Sequence, residues 1–217
     1  MISRFQYITQ EIEGESHDQL AEWACEGGVD WVQLRMKDKS YNECLEIAVK
    51  TEAICRKYHA KFIINDHVKL AKSIRADGVH LGKSDMSPKE ARDVLGNNFI
   101  IGGTANTFED IEKLAAAQVD YIGLGPFRFT ATKQNLSPVL GIKGYELIIK
   151  KCIDAGITIP IIAIGGIKVE DVKTLMNTGI YGIAVSSAIN LSEHKMETVK
   201  RFRNKIKFET EKKLKNG

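Results

Sequence analysis

The sequence predicts an α/β fold in a single domain, a (β/α)8 barrel of the TIM-barrel type. Eight short apolar segments typical of strands alternate with longer amphipathic segments along the 217 residues. No Pro- or Ser-rich linker and no change of composition divides the chain, so residues 1–217 are expected to form one domain. A doubly wound sheet usually has fewer strands and a glycine-rich fingerprint, and neither a GxGxxG nor a GxxxxGK motif occurs here.

Each predicted strand is followed by a predicted helix. The strands are expected at residues 6–9, 31–35, 62–65, 78–81, 100–103, 121–124, 161–164 and 182–185. Ser40 precedes a helical segment that extends to Tyr58. Ser87 with Pro88 in the first turn begins another helix, and Thr107 begins a segment that resembles a capping box. Glycines are expected to end several helices just before the next strand, at positions 27–28, 156 and 179.

Composition excludes several classes of protein. No segment approaches the roughly 18 consecutive apolar residues of a membrane helix, and the amino terminus shows no apolar signal-peptide core. We therefore expect a cytoplasmic protein with no membrane partner. The four cysteines, at positions 25, 44, 55 and 152, form no CxxC pair, so we expect buried thiols and neither a zinc site nor a disulfide framework.

The net charge of +3 is concentrated at the carboxyl terminus. Residues 195–217 contain nine Lys and Arg against three Glu, which leaves the rest of the chain mildly acidic. Val199, Phe202 and Ile206 recur at helical spacing, so residues 194–217 are expected to form a basic helix with a solvated face. A solvated helix face is favoured over a single-strand binding surface, and no nucleic-acid partner is expected.

In a (β/α)8 barrel the carboxyl ends of the strands and the loops after them form the active site. The second predicted strand ends in Gln33-Leu34-Arg35-Met36-Lys37, and alternation places Gln33, Arg35 and Lys37 on one face. An amide and two cations suit an anionic substrate, whereas the alternative is that the two cations line a solvated rim. An unpaired polar row inside a barrel would be costly, which favours the anion site.

Two aspartates follow the third and fourth predicted strands. Asp66 follows Asn65 directly, and Asp85 lies in the next loop, so adjacent strand ends bring the two carboxylates together. Mg²⁺ accepts a pair of carboxylates when phosphate oxygens and waters complete its octahedron. Each aspartate is equally suited to cap a helix, Asp66 before the helix at Val68 and Asp85 before Ser87, and spacing does not decide between the two.

The longest loop extends from Pro126 to Gly141 after the sixth strand. It contains Thr130, Thr132 and Lys133, two hydroxyls and an ammonium, and a long polar loop at a barrel mouth is commonly a lid or a substrate clamp. A surface excursion is the competing interpretation.

Glycines and serines follow the last two strands. Gly165 and Gly166 end the seventh strand, and Ser186 and Ser187 end the eighth. Backbone N–H groups at these two loops form the phosphate site of many barrels, although Gly-Gly alone is also ordinary turn chemistry.

Taken together, these segments resemble the thiamine phosphate synthase family over residues 31–190. The family pattern Q-x-R-x-K is present at Gln33–Lys37, and its N-D pair at Asn65–Asp66. Its A-D-G-V-H-L-G-x-x-D pattern matches residues 76–85, and its D-Y-I-G-x-G-P pattern residues 120–126. The T-x-T-K pattern matches residues 130–133, and A-I-G-G-I residues 163–167.

The resemblance implies a transferase that joins 4-amino-2-methyl-5-pyrimidinylmethyl diphosphate to 4-methyl-5-(2-phosphoethyl)thiazole with Mg²⁺, releasing pyrophosphate and forming thiamine phosphate. It assigns the pyrimidine diphosphate to Gln33, Arg35, Lys37, Asn65, Lys133 and the hydroxyl position Thr104. It assigns Mg²⁺ to Asp66 and Asp85, and the thiazole phosphate to Thr130, Thr132, Gly165, Gly166, Ser186 and Ser187. A homo-oligomer is left open.

This chemistry needs no strong base, because the thiazole nitrogen is a neutral nucleophile and the aminopyrimidine stabilises a methylene cation. Catalysis is then stabilisation of charge on the departing diphosphate, which the resemblance gives to Arg35, Lys37 and Lys133. The sequence shows no arrangement typical of a catalytic triad.

Three positions depart from the usual family pattern. Where the family commonly has Ser-x-His this chain has Thr104-Ala105-Asn106, which keeps the hydroxyl and loses the imidazole. Arg128-Phe129 replaces Phe-Pro before Thr130, so Arg128 is a candidate additional phosphate contact. Lys83 stands where glutamine is common and would add a cation near the metal.

Two other functions remain open. A thiazole phosphate isomerase of the same barrel family would need an acid/base residue such as histidine over the ring, and no histidine occurs between 81 and 193. His80 is expected to be a packed, hydrogen-bonded core residue. A non-catalytic barrel that binds phosphate metabolites would have little use for two metal carboxylates.

Overall fold

The computed structural model describes residues 2–129 and 138–216, and within them eight parallel strands close into a barrel. Neighbouring strands pair in chain order, and β1 (Phe5–Ile8) pairs with both β2 (Trp31–Leu34) and β8 (Gly182–Val185). Between these lie β3 (Lys61–Asn65), β4 (Gly78–Leu81), β5 (Ile100–Ala105), β6 (Tyr121–Leu124) and β7 (Ile161–Ala163). The predicted (β/α)8 barrel is confirmed.

Helices cover the outside of the barrel in the described residues. They are α1 (His17–Glu26), α2 (Tyr41–Lys57), α3 (Val68–Ile74), α4 (Pro88–Leu95), α5 (Phe108–Ala116), α6 (Gly141–Asp154), α7 (Val172–Asn177), α8 (Ser187–Asn190) and α9 (Lys195–Asn216). A short 3-10 helix, Val169–Asp171, precedes α7.

Local sequence explains where the helices begin and end. Ser40, Ser87 and Thr107 are N-caps with complete capping boxes, as their spacing to an acidic residue predicts. Gly28, Gly156 and Gly179 have φ values of +97°, +68° and +103°, so glycine does stop these helices in a left-handed conformation.

Four strands end at a residue other than the predicted one. β1 ends at Ile8 and β7 at Ala163, each one residue before its predicted end. β2 ends at Leu34 instead of Arg35, because the Arg35 N–H donates to the Thr9 side chain at 3.1 Å and leaves the ladder. β5 continues to Ala105, two residues beyond its predicted end.

The core has two parts. Ile8, Trp31, Ile63, Tyr121, Ile162 and Ala184 pack inside the barrel, and a larger cluster lies between the barrel and the helices. On α9, Val199, Phe202 and Ile206 are buried while most of the basic residues are exposed. All four cysteines are buried and unpaired. No helix in the described part of the chain is long and apolar enough to cross a membrane.

Candidate active site

A cavity of about 500 Å³ opens at the carboxyl ends of the strands. It adjoins a second cavity of about 580 Å³ at the barrel mouth, and Arg35, Gly166 and Ser187 line both. We call the first the inner cavity and the second the outer cavity. Both volumes lie within the range of small-molecule binding sites. Most of the predicted site residues in the described ranges line one cavity or both.

The three polar side chains at the end of β2, Gln33, Arg35 and Lys37, extend from the inner to the outer cavity, as the alternation of side chains along a strand predicts. Gln33 is buried and lines the inner cavity, Arg35 lines both, and Lys37 lines the outer one. Burial lowers the pKa of the Arg35 guanidinium, and the Asp66 carboxylate counteracts this. Arg35 therefore lies between the two cavities and next to the acidic pair.

Asp66 and Asp85 both line the inner cavity, and the Asp85 carboxyl is close enough to affect the ionisation of Asp66. Burial, and then the Asp85 carboxyl, raise the pKa of Asp66 to about 7, although Arg35 opposes the rise. Asp66 also has a φ of +66°, a conformation that is uncommon for a residue other than glycine. A strained backbone at Asp66 and two neighbouring carboxyl groups are features common at functional sites.

Neither aspartate caps a helix. The N-cap of α3 is His67, which makes no side-chain capping bond, and α4 is capped by Ser87. Oδ2 of Asp85 instead accepts the Gly82 N–H at 2.6 Å. The capping alternative for these two residues is therefore wrong.

The two carboxylates fit a divalent cation with few protein ligands. The described residues contain no cluster of three or more His, Cys, Asp or Glu that could hold a metal alone. Such a pair suits Mg²⁺ when the oxygens of a bound diphosphate and water supply the other ligands. Asn65 also lines the cavity, and its side chain lowers the pKa of Asp66 and so favours the ionised form.

Two cations near the site are committed to acidic partners. Lys83 Nζ lies 2.6 Å from Asp110 Oδ2. Arg128 donates to both carboxylate oxygens of Asp171, at 2.6 and 2.9 Å, and to the Gly166 carbonyl at 2.9 Å. The Asp171 carboxylate raises the pKa of Arg128. The Arg128 side chain thus joins the loop after β6 to the segment after β7 through three hydrogen bonds.

The two glycines after β7 allow a close approach of the β6 loop. A Cβ atom at Gly165 would lie 2.6 Å from the Pro126 Cβ, and one at Gly166 would lie 2.5 Å from the Arg128 Cγ. Both residues have positive φ, +98° and +66°, and both line the inner cavity. The glycines therefore serve turn geometry and, at the same time, expose backbone to the cavity.

The serines after β8 differ in their surroundings. The Ser186 hydroxyl donates to Gln10 at 3.0 Å and accepts from Asn190 at 3.1 Å. Ser187 begins α8 and lines both cavities. Of the two, Ser187 is the better placed for a ligand phosphate.

Thr104 lines the inner cavity, and its hydroxyl lies 3.0 Å from Nε2 of His80. The second ring nitrogen of His80 lies 3.0 Å from the Tyr121 hydroxyl. His80 is packed and hydrogen-bonded, as expected, but it also lines the cavity, which sequence reasoning missed. Asn106, where the family usually has histidine, donates to the Gly125 carbonyl and supports the start of the β6 loop.

Three predicted residues, Thr130, Thr132 and Lys133, lie outside the described residues. The base of their loop is well defined, because the Leu140 N–H donates to the Pro126 carbonyl at 2.9 Å and the Phe127 N–H to that of Ile164 at 2.8 Å. These bonds hold the chain in place where it leaves β6 and where it enters α6.

Comparison with known proteins identifies the family of this chain. The family profile described as thiamine monophosphate synthase matches residues 5–189. The chain belongs to the thiamine monophosphate synthase family. The match covers every strand of the barrel, so the resemblance predicted from the motifs is confirmed.

Individual members of the thiamine monophosphate synthase family are similar over nearly their whole length. A thiamine-phosphate synthase of Bacteroides fragilis is 51% identical over 92% of this chain and 98% of its own. One of Flavobacterium psychrophilum is 48% identical over 95% of this chain and 100% of its own. The solved thiamine phosphate pyrophosphorylase of Pyrococcus furiosus superimposes with a TM-score of 0.84 at 29% identity, covering 95% of this chain and 96% of that one.

Proposed function

We propose that this barrel is a transferase that forms thiamine phosphate and pyrophosphate from 4-amino-2-methyl-5-pyrimidinylmethyl diphosphate and 4-methyl-5-(2-phosphoethyl)thiazole, with Mg²⁺. The observation that carries the proposal is the Asp66–Asp85 pair beside Arg35 at one end of the two adjoining cavities. Carboxylates that need a cation, next to a fixed guanidinium, suit a diphosphate leaving group. The family relationship supports the same reaction.

In this proposal each of the two cavities holds one substrate. The pyrimidine occupies the inner cavity between Gln33 and Thr104, with its diphosphate directed toward Arg35, Lys37 and the acidic pair. The thiazole phosphate lies toward Gly166 and Ser187, where backbone is exposed between β7 and α8. Arg35, which lines both cavities, then lies at the point where the substrates meet.

The bond changes balance without a base. The bond between the pyrimidine methylene carbon and the diphosphate oxygen breaks, and its electron pair leaves with pyrophosphate. The lone pair of the thiazole nitrogen forms the new carbon–nitrogen bond, so no proton needs to be removed. The chain holds the two rings in line and places the charges of Arg35 and Lys37 where negative charge develops.

Asp66 and Asp85 would hold Mg²⁺ in this reaction. When bound, the ion neutralises charge on the departing pyrophosphate. Burial and the Asp85 carboxyl raise the pKa of Asp66, so ionisation of both carboxyls is unfavourable without a compensating charge. Binding of the cation is therefore expected to release a proton.

No observation of the site favours the two alternative functions, a thiazole phosphate isomerase and a non-catalytic phosphate-binding barrel. An isomerase would need an acid/base group, and both ring nitrogens of His80 already form hydrogen bonds, to Tyr121 and Thr104. A phosphate sensor would leave the acidic pair without a role. A cytoplasmic location, the small-molecule substrates as sole partners and the open question of a homo-oligomer remain predictions.

The direct test is formation of thiamine phosphate and pyrophosphate by the purified protein with both substrates, first with Mg²⁺ and then with EDTA. We expect metal-dependent product, and Asp66→Ala or Asp85→Ala should abolish it while the far-UV spectrum stays unchanged. No product from folded wild-type protein, or wild-type turnover in either variant, would overturn the proposal or its metal site respectively.

A further inference from the structure

A chain of five buried or half-buried polar side chains crosses the barrel beneath the inner cavity. Nε2 of Gln33 donates to Oε1 of Gln6 at 3.2 Å, and Nε2 of Gln6 donates to the Tyr121 oxygen at 3.3 Å. Tyr121 then contacts Nδ1 of His80, and Nε2 of His80 contacts Thr104. Both ends of the chain, Gln33 and Thr104, line the cavity. We call these residues the polar relay.

Strand register and two glycines create the space for the relay. His80 on β4 and Tyr121 on β6 both pair with Gly102 of the intervening β5. A Cβ atom at Gly102 would lie 2.2 Å from Cζ of Tyr121, and one at Gly123 would lie 3.1 Å from Cε1 of His80. Larger residues at these two positions would displace the rings, so the sequence is adapted to this contact.

With a neutral His80 ring and the Gln6 amide nitrogen facing Tyr121, hydrogen-bond accounting gives the direction of the relay. Tyr121 is fully buried, and of its two recorded partners in the described residues Gln6 is a donor, so its proton has only Nδ1 of His80 as an acceptor. Nδ1 is therefore unprotonated and Nε2 carries the proton, which it donates to Thr104. The Thr104 oxygen is thereby used as an acceptor, and its own O–H is left to donate into the cavity.

The other end of the relay presents the opposite polarity. One N–H of the Gln33 amide is used by Gln6, and among the described residues no hydrogen-bond donor contacts its Oε1. The cavity therefore offers a hydroxyl donor at Thr104 and a carbonyl acceptor at Gln33. This pattern complements an aminopyrimidine, in which a ring nitrogen accepts and the exocyclic amine donates.

We propose that Gln6, Tyr121 and His80 are positioning residues that set the donor direction of Thr104 and thereby make the site select a 4-aminopyrimidine over a 4-oxopyrimidine. The inference rests on the proposed function, which supplies the pyrimidine substrate. An oxo analogue presents an N–H and a carbonyl in place of the ring acceptor and the amine. Its N–H would face the Thr104 hydroxyl, which is also a donor, and its carbonyl would face the Gln33 carbonyl, which is also an acceptor.

The test compares binding of two unreactive probes, the methylenediphosphonate of the aminopyrimidine and that of its 4-oxo counterpart. Binding avoids the intrinsic difference in reactivity between the two rings. We expect wild-type protein to prefer the amino probe by at least ~100-fold. In Tyr121→Phe the imidazole loses its proton donor at Nδ1, so the alternative tautomer becomes accessible and the preference should fall below ~10-fold.

Tyr145→Phe is the matched control. Tyr145 is as fully buried as Tyr121, and its hydroxyl donates to the Leu124 carbonyl outside the relay. Loss of this hydroxyl should lower thermal stability to a similar extent and leave the probe preference unchanged. His80→Gln, whose amide can still donate toward Thr104, should retain more of the preference than His80→Leu.

A spectroscopic measurement reports the direction of the relay itself. Nitrogen-15 NMR of histidine-labelled protein should show His80 as the Nε2–H tautomer in the wild type and as a mixture in Tyr121→Phe. A wild-type Nδ1–H tautomer, or an unchanged probe preference in folded Tyr121→Phe, would overturn the relay while product formation by the wild type upholds the proposed function. If the probe preference and the tautomer are as expected but no product forms, the proposed reaction is overturned and the relay is upheld.

Discussion

The backbone N–H of Gly82 donates a 2.6 Å hydrogen bond to Oδ2 of Asp85, and a Cβ atom at position 82 would lie only 2.8 Å from that same oxygen. The absence of a side chain at Gly82 therefore allows the carboxylate to sit against the backbone. This contact orients Asp85 toward Asp66, with which it shares the inner cavity.

Gly82→Ala should weaken metal binding with little effect on folding. The added methyl group displaces the carboxylate and removes one charge-assisted hydrogen bond, so the Mg²⁺ concentration for half-maximal activity should rise about tenfold, corresponding to ~1.4 kcal/mol. Turnover at saturating Mg²⁺ should recover most of the wild-type value. An unchanged Mg²⁺ requirement, measured by titration of the pyrophosphate-release rate, would show that Asp85 is oriented by other contacts.

The acidic pair predicts an unusual dependence of stability on pH. The pKa of Asp66 is raised from its ordinary 3.8 to about 7 in the folded protein, so the folded chain binds more protons than the unfolded chain between these values. The free energy of unfolding of metal-free protein should therefore receive a contribution that falls as pH rises from about 4 to about 7.

Urea denaturation in EDTA across that pH range measures this contribution. Asp66→Asn removes the titrating group and should flatten the dependence, and excess Mg²⁺ should reverse it in the wild type because the cation favours the ionised pair. Identical pH profiles for wild type and Asp66→Asn would contradict the raised pKa.

Two lysines near the cavities should differ in their effect on catalysis. Lys37 lines the outer cavity at the end of the β2 row, whereas the Lys83 ammonium is 2.6 Å from Asp110. Lys37→Met should lower kcat by about 100-fold, the size of effect expected for loss of one charge placed at a developing anion. Lys83→Met, with the same change of charge, should lower kcat less than tenfold. Equal losses in the two variants would place both ammonium groups on the diphosphate.

The Arg128–Asp171 pair should stabilise the fold and contribute little to substrate binding. Asp171 is mostly buried and also accepts the Lys168 N–H at 2.8 Å, so Asp171→Ala should lower the free energy of unfolding by about 2 kcal/mol. Arg128→Ala should cost about 1 kcal/mol and change the KM for the thiazole phosphate less than threefold. A large increase in that KM would instead give Arg128 a direct phosphate contact.

Two phenylalanines on α9 give a matched test of its packing. Phe202 is fully buried against the barrel, whereas Phe208 is 59% exposed. Phe202→Ala should lower the free energy of unfolding by about 3–5 kcal/mol and Phe208→Ala by about 0.5 kcal/mol, as measured by urea denaturation. Similar small losses would indicate that α9 contributes little to the core.

Strand and helix positions were predictable because they depend on local patterns. Eight apolar segments alternate with helical segments, and capping boxes at Ser40, Ser87 and Thr107 and glycines at several helix ends mark the bounds of the helices. That order closes a barrel, and in a barrel every strand end belongs to one mouth. The convergence of Gln33, Arg35, Asp66 and Asp85 followed from this rule and from the motifs.

Contacts between distant strands could not be predicted in the same way. Sequence separations of 115 between Gln6 and Tyr121 and of 43 between Arg128 and Asp171 show no periodic signal. The choice of Asp66 and Asp85 between helix cap and metal pair was equally undecided, because both uses place an aspartate at the same spacing from a helix.

The sequence by itself determined the order and number of strands, the face on which Gln33, Arg35 and Lys37 lie, and the family. Only the tertiary structure decided which partner each polar group takes: Asp85 for Asp66, Asp110 for Lys83, and the relay through His80 and Tyr121 for Thr104. The reason is physical. Periodicity is a property of one segment, whereas the pairing of buried polar groups depends on register and close approach between segments that meet only when the barrel closes.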